Sequence, residues 1–254
     1  MENINDAGII EMCINAKKKY GILVGVNNVS MQSVKNLRGC INDVIFLADF
    51  LSPEYHLQCL TDEPHNKKPT RHSILDAFKH VLKKASGNDT VLFYFSGHAI
   101  KYNGKCALIT HDGQSISQLV FQKLVRLYLK KGTKLFFILD SCHSGNFLDL
   151  NYKYTNGKIC DIKEKLHADI RRSIVSLSSC SVEEKSFDKL IDKTHQSVLS
   201  WAFLTSIKKI KKNTTREIYT SLIVQLQLQT QGSSPLPHMY FSEKRHDIFN
   251  ALIF

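Results

Sequence analysis

The chain has 254 residues, of which 43% are hydrophobic and 22% charged, a balance typical of globular proteins and not of disordered ones. Lys and Arg number 34 against 23 Asp and Glu, and the net charge of +11 favours acidic partners. No stretch approaches the roughly 18 apolar residues of a membrane span, and the first residues lack the order of a signal peptide. We therefore expect a cytoplasmic protein without a membrane anchor.

The predicted elements alternate between strands and helices along the chain. Thr70 is predicted to cap the second helix, and Gly87 to stop it. The polar, lysine-rich segment 146–170 is predicted to be a long exposed loop. Buried apolar strands that alternate with helices predict an α/β fold with a mostly parallel sheet covered on both faces. The predicted strands are 20–26, 57–60, 90–96, 105–110, 135–139 and 174–177, and the predicted helices are 40–51, 71–85, 119–129, 197–207 and 215–229.

The cysteines and lysines exclude several classes of protein. Seven cysteines, an odd number without a CxxC pair, fit neither a disulfide framework nor a zinc site. Free thiols in a reducing compartment fit better, and we expect no bound metal. The short lysine runs indicate a solvated surface. No nucleic-acid-binding motif accompanies them, so we expect no specific nucleic-acid partner.

Two predicted strands end in residues that can carry out chemistry. The strand 90–96 runs into His98, and the strand 135–139 runs into Cys142. Because parallel strands present their carboxyl ends at one edge of a sheet, we expect the two side chains to meet there as the dyad of a thiol peptidase. The backbone N–H groups of Ala99 and Cys142 are then candidates for holding the oxyanion. His143 competes as the base, but it is expected to point away if the strand geometry persists.

Three segments around these residues resemble the caspase-like cysteine peptidases of peptidase family C14, and among them the type I metacaspases. The resemblance covers roughly residues 20–240, weakly after 185, and implies a caspase-like (caspase-hemoglobinase) fold, a mostly parallel central sheet flanked by helices. It also implies a short N-terminal extension (1–19) before one catalytic domain (20–254). That domain would have a large-subunit-like part (about 20–150), the loop 146–170 and a small-subunit-like part (about 171–254). The segments are LRGCIND (37–43), YFSGH (94–98) and LDSCHSG (139–145).

This resemblance implies a cysteine endopeptidase that uses His98 and Cys142 and cleaves proteins or peptides after Arg or Lys. It also implies a monomer. Because the predicted loop 146–170 is basic and exposed, we further expect the chain to cleave itself there. Two carboxylates in one pocket suit a guanidinium group, which donates paired charge-assisted hydrogen bonds to them. Arg38 keeps open the alternative of cleavage after Asp. The implied substrate-binding residues are Cys40, Asp43, Ser96 and Asp140.

The sequence also departs from the metacaspase pattern. Ala99 stands where most metacaspases have glycine. Of the aspartates of calcium-activated members, only Asp149 has a counterpart, while Gly104 and the run 118–120 carry no carboxylate. We therefore expect no cofactor and little activation by calcium, which needs about six to eight oxygen ligands. Two alternatives stay open: a catalytically weak or inactive caspase-like interaction module, and a nucleic-acid binder suggested by charge alone.

Overall fold

Strands and helices alternate along the chain, with short hairpins between them. A computed structural model describes residues 17–102, 104–155, 157–162, 173–179, 188–209, 215–233 and 235–244. The helices are α1 (Cys40–Leu51), α2 (Arg71–Lys84), α3 (Gln118–Tyr128), α4 (Val198–Lys209) and α5 (Thr215–Thr230). The strands are β1 (Lys19–Gly25), β2 (His56–Thr61), β3 (Thr90–Ser96), β4 (Ala99–Tyr102), β5 (Lys105–Ile109), β6 (Ser115–Ser117), β7 (Lys134–Asp140), β8 (Tyr152–Thr155), β9 (Lys158–Asp161), β10 (Ser173–Ser178), β11 (Asp188–Ile191), β12 (Thr194–Ser197) and β13 (His238–Phe241).

One eight-stranded sheet forms the centre of the fold, in the order β2-β1-β3-β7-β10-β13-β8-β9. The strands from β2 to β10 in this order run parallel to one another. The pairs that involve β13, β8 and β9 are antiparallel. The predicted α/β architecture with a mostly parallel central sheet is confirmed, with an antiparallel edge that the sequence did not predict.

Hydrophobic clusters cover both faces of this sheet, and the side chains of β3 alternate between them. Val91 and Phe93 belong to the cluster under α2 and α3, whereas Leu92 and Tyr94 belong to the cluster under α1, α4 and α5. In the first cluster the rings of Phe93 and Phe137 stack with their centroids 4.7 Å apart. A strand buried on both faces has no polar face, which is why these strands are continuous apolar runs in the sequence.

The predicted strands and helices are all present, and their ends differ from the predicted positions by at most two residues, at the end of α4. The predicted cap of α2 is confirmed, because the Ser73 N–H donates to Thr70 Oγ1 at 3.1 Å. The predicted stop is wrong. Ala85 ends the helix in an extended conformation, and its N–H donates to Val81 O. Gly87 lies two residues further on.

The prediction of a long exposed loop at 146–170 is wrong for the part of that segment that the structure describes. Phe147 is fully buried against the aromatic core. β8 and β9 form a hairpin in which Thr155 pairs with Lys158, and this hairpin extends the sheet. Gly157 has a φ of 78°, which a tight two-residue turn requires and which glycine adopts without strain. The rest of the segment lies outside the described residues.

Two small sheets have only partial counterparts in the prediction. The strands β4, β5 and β6 form an antiparallel sheet directly after His98, and only β5 was predicted. The strands β11 and β12 form a hairpin that leads into α4. The first sheet begins at the predicted site residue Ala99. The hairpin is distant from the predicted site in sequence, but Ser197 at its end donates to Asp43.

The chain ends lie outside the described residues, namely 245–254 and 1–16, which is most of the predicted N-terminal extension. None of the helices in the described ranges combines the length and the apolar character needed to cross a membrane. Strands from the predicted large-subunit-like and small-subunit-like parts contribute to the same sheet. The predicted division of the chain into these parts stays a prediction.

Candidate active site

The predicted dyad lies at the carboxyl-terminal edge of the sheet. β3 and β7 are parallel neighbours, and Ser96 pairs with Asp140 at the end of both strands. His98 and Cys142 each follow this pair by two residues, so the fold brings them to the same edge. Both side chains are partly exposed and are therefore accessible to a substrate.

A backbone carbonyl determines which nitrogen of the His98 ring carries the proton. Its Nε2 lies 2.6 Å from Lys35 O. A carbonyl oxygen only accepts hydrogen bonds, so Nε2 is the donor, and the lone pair of the neutral ring is on Nδ1. Nδ1 is therefore the atom through which His98 can act as a base.

The residues that follow β7 form a tight turn. The strand ends at Asp140, and His143 has a φ of 58°, in the left-handed region. The expected orientation of His143 assumed that the strand continues, and this assumption is wrong. The turn is tied to the end of β10, because Ser179 Oγ donates to Ser141 O at 3.0 Å. Cys142 thus sits on a turn that is hydrogen-bonded to the neighbouring strand.

The backbone at Ala99 tolerates a side chain. Ala99 opens β4 and has no positive φ, so the replacement of glycine introduces no strain. Ile109 N donates to His98 O at 2.9 Å, and Ala99 lies opposite Leu108 in the antiparallel pair. Antiparallel pairs alternate between hydrogen-bonded and non-hydrogen-bonded positions, so the Ala99 N–H points away from β5. This geometry is compatible with an oxyanion donor, and the role itself stays a prediction.

The four residues predicted to bind a basic side chain lie close together. Asp43 follows Cys40 by one turn of α1, and Ser96 Oγ donates to Asp43 Oδ2 at 2.9 Å. Asp140 is the strand partner of Ser96. All four are buried, and Asp43 and Asp140 are each 3% exposed. The site therefore holds two carboxylates shielded from bulk water.

Burial changes the ionisation of this cluster. The pKa of Asp43 is raised well above its usual range, first because burial penalises the charged form and second because the negative charge of Asp140 is near. Hydrogen bonds from Ser197 and Ser96 act in the opposite direction. Burial likewise raises the pKa of Tyr94, and the charges of both aspartates add to this effect. An incoming cation would relieve the repulsion between the two carboxylates.

Two serines that the sequence analysis missed donate hydrogen bonds to these carboxylates. Ser197 N lies 3.1 Å from Asp43 Oδ1, and Ser200 donates to Asp140 Oδ2 from both its N (3.0 Å) and its Oγ (2.6 Å). Gly39 makes this approach possible, because a Cβ there would lie 3.0 Å from backbone atoms of Gln196. Ser197 stands directly before the helix and Ser200 in its first turn, positions that signal only a helix start, so the sequence offered no sign of this role.

The positions considered for calcium do not form a ligand cluster. Among the described residues no group of three or more His, Cys, Asp and Glu side chains could hold a metal ion. Asp149 lines a cavity of about 70 Å³ together with Arg126, a cation. Gln118, at one of the positions expected to carry an acid, accepts a hydrogen bond from Cys106 N at 2.9 Å. The response to calcium stays a prediction.

Known proteins match this fold and this sequence. The chain is 31% identical to Metacaspase-1 of Schizosaccharomyces pombe over 158 residues, which are 54% of this chain and 36% of that protein. It is 33% identical to Metacaspase-9 of Arabidopsis thaliana over 150 residues, which are 52% of this chain and 45% of that protein. The chain thus spans less than half the length of these two curated relatives.

Two solved structures share the architecture. Protein GSU0716 from Geobacter sulfurreducens has a TM-score of 0.68 at 16% identity, with 91% of this chain and 96% of that chain covered. Caspase-1 from Spodoptera frugiperda has a TM-score of 0.66 at 11% identity, with 91% and 88% covered. At these identities the likeness shows the fold alone, and the chain has the α/β caspase-like fold.

The caspase domain family, peptidase family C14, matches residues 18–249, and the chain belongs to this family. The predicted resemblance to caspase-like peptidases and metacaspases is confirmed.

Proposed function

We propose that the chain is a cysteine endopeptidase in which Cys142 is the nucleophile and His98 the general base and acid. The observation that carries this proposal is the position of the two residues, each two residues beyond the paired ends of adjacent parallel strands. The family match and the metacaspase relatives support it.

The hydrogen bond of His98 to Lys35 O supports a definite proton path. The Cys142 thiol gives its proton to His98 Nδ1, and the thiolate attacks the carbonyl carbon of the scissile bond. His98 then protonates the leaving amine, and a thioester remains. A water molecule that gives a proton to His98 hydrolyses the thioester and restores the thiol.

The negative charge that forms on the substrate carbonyl oxygen needs donors near Cys142. We assign this role to the backbone N–H groups of Ala99 and Cys142. The direction of the Ala99 N–H, away from β5, supports the assignment.

The substrate class follows from the buried aspartates. We propose that Asp43 and Asp140, with Cys40 and Ser96, bind an Arg or Lys side chain at P1. Two carboxylates that repel each other in the empty site gain most from a ligand that brings positive charge.

The test is a panel of fluorogenic peptides that differ only at P1: Arg, Lys, Asp and citrulline, the neutral isostere of arginine. We expect cleavage after Arg and Lys, none after citrulline, and none by the Cys142→Ala variant. Cleavage after Asp, and not after Arg or Lys, would contradict the proposed specificity and favour the alternative of cleavage after Asp. Inactivity on every peptide would favour an interaction module.

Self-processing is the next part of the proposal. Lys153 and Lys158 belong to the strands of a hairpin, and a peptidase needs an extended chain that is free to enter its groove. The other basic residues predicted as cleavage sites, Lys163, Lys165, Arg171 and Arg172, lie outside the described residues, and we propose cleavage after one or more of them. Mass spectrometry of the incubated chain locates such cuts, and the Cys142→Ala variant should stay intact.

We also propose that the chain is a cytoplasmic monomer. The cysteines in the described part of the chain are free thiols, and Cys59 and Cys160 are exposed, which suits a reducing compartment. The edge strand β9 carries exposed charges at Lys158 and Asp161, which oppose pairing with another strand. Light scattering coupled to size exclusion tests the oligomeric state, and a dimer at micromolar concentration would contradict the proposal.

A further inference from the structure

The first turn of α4 donates hydrogen bonds to both buried carboxylates. Ser197, just before the helix, donates through its N–H to Asp43. Ser200 donates to Asp140 through its N–H and its hydroxyl. The N–H groups of a first helical turn have no partner inside the helix, so here the two aspartates satisfy them. The positive end of the helix dipole also points toward the two carboxylates.

The hydroxyl groups around the aspartates have a definite hydrogen-bond direction. Ser200 Oγ uses its one proton on Asp140 Oδ2. Tyr94 Oη lies 2.6 Å from Ser200 Oγ, so the tyrosine must be the donor in that contact. In the same way Ser96 Oγ uses its proton on Asp43, and Ser197 Oγ, 3.3 Å away, donates to Ser96. One series of hydrogen bonds thus runs from Tyr94 through Ser200 to Asp140, and the other from Ser197 through Ser96 to Asp43.

We infer that Ser200 is a specificity-determining positioning residue, which holds the Asp140 carboxylate in the orientation that receives a basic P1 side chain. This inference rests on the proposed function. Ser200 has no role in the chemical step, because it acts through Asp140. Tyr94 acts one step further out by orienting the Ser200 hydroxyl.

The segment that contains β12 and α4 thereby takes part in substrate selection. The two carboxylates come from α1 and β7, whereas the donors that orient them come from β12 and α4. The aspartates are in place for a cationic ligand only when α4 is docked against them. Packing at the start of α4 therefore controls the strength of P1 binding.

The test measures binding separately from catalysis. In the Cys142→Ala background, fluorescence anisotropy gives the Kd of two labelled peptides that differ only at P1, arginine in one and citrulline in the other. We expect Ser200→Ala to weaken the arginine peptide about tenfold or more, the loss typical of one hydrogen bond to a charged group. The citrulline peptide should be unaffected, and Ser200→Thr, which keeps the hydroxyl, should restore the binding of the arginine peptide.

The same helix offers a matched control. Ser206 is fully buried in α4, and its Oγ has no hydrogen-bond partner. We expect Ser206→Ala to leave both affinities unchanged. If Ser200→Ala weakens both peptides equally, or weakens neither, the inference is wrong.

Cleavage by the active chain separates this inference from the proposed function. If the chain cleaves arginine peptides and Ser200→Ala leaves KM unchanged, the inference fails and the proposed function stands. If the active chain cleaves no peptide while Ser200→Ala selectively weakens binding of the arginine peptide, the inference stands and the proposed function fails.

Discussion

Replacing Asp43 with asparagine should make the protein more stable at alkaline pH and less active. Asp43 is 3% exposed, and burial together with the charge of Asp140 raises its pKa well above the usual range. The folded chain therefore binds this proton more tightly than the unfolded chain does. The wild type loses free energy of unfolding as pH rises from the usual carboxyl range through the pKa of the folded state. Asparagine carries no charge and removes this loss.

Two terms of opposite sign set the size of the effect. Each unit by which the pKa is raised costs the wild type about 1.4 kcal/mol above that pKa. Rearranging the hydrogen bond from Ser96 to fit an amide costs about 1 kcal/mol, while Ser197 N keeps an oxygen acceptor. Burial and the charge of Asp140 raise the pKa of Asp43, so the first term grows as pH rises while the second does not, and we expect the first to be the larger at alkaline pH. The same substitution removes a charge that binds the P1 cation, so kcat/KM for arginine peptides should fall about 10- to 100-fold.

Urea unfolding from pH 5 to pH 9 measures the stability term, in the Cys142→Ala background to prevent self-cleavage. The free energy of unfolding of Asp43→Asn, relative to its parent, should increase with pH. Asp49→Asn is the matched control, because Asp49 is an exposed aspartate on the same helix. A variant that is less stable than its parent by the same amount at every pH would refute the reasoning.

Three further predictions concern the dyad, the oxyanion donor and calcium. His98→Ala should lower kcat by about 10²–10⁴-fold, and His143→Ala should leave most of the activity; the reverse pattern in steady-state kinetics would exchange their roles. Ala99→Gly should change kcat little and lower the free energy of unfolding by about 0.5–1 kcal/mol, because glycine weakens a strand; a large rise in kcat would mean that the site needs glycine there. Millimolar calcium should leave the initial rate on arginine peptides nearly unchanged, because Asp149 shares its cavity with Arg126. A saturable activation that Asp149→Ala abolishes would contradict this.

The buried strands and the shared position of His98 and Cys142 could be predicted because their signals are local. β3 is an uninterrupted apolar run, and its observed limits are those predicted, Thr90–Ser96. The end of such a strand in a parallel sheet is also a predictable place for a site. The sequence alone was therefore enough to predict that His98 and Cys142 lie at the same edge of the sheet.

The hairpin of β8 and β9 was missed although its signal is also local. In the sequence, Asn-Gly at 156–157 is a two-residue signal typical of a tight hairpin, and Tyr154 and Ile159 on the paired strands are buried. Lys153 and Lys158 stand next to these buried residues, so the alternation of buried and exposed side chains along the two strands was not recognised in the sequence. The composition of the segment indicated a loop, whereas the turn residues indicated a hairpin, and the turn residues were the better guide.

The surroundings of the acidic pair could not be predicted, because they depend on contacts between distant residues. Asp43 and Ser197 are 154 positions apart, and a carboxylate on an amphipathic helix is expected to be solvated. Only the docked fold shows that Asp43 lies near Asp140 and that α4 begins against both. Only the fold shows, too, that Ser96, Ser197 and Ser200 donate hydrogen bonds to the two carboxylates. Such a site costs stability while it is empty, so a ligand that brings positive charge recovers part of that cost as binding energy. The buried acidic pair therefore supports selection of a cation at P1 more strongly than the sequence motif alone.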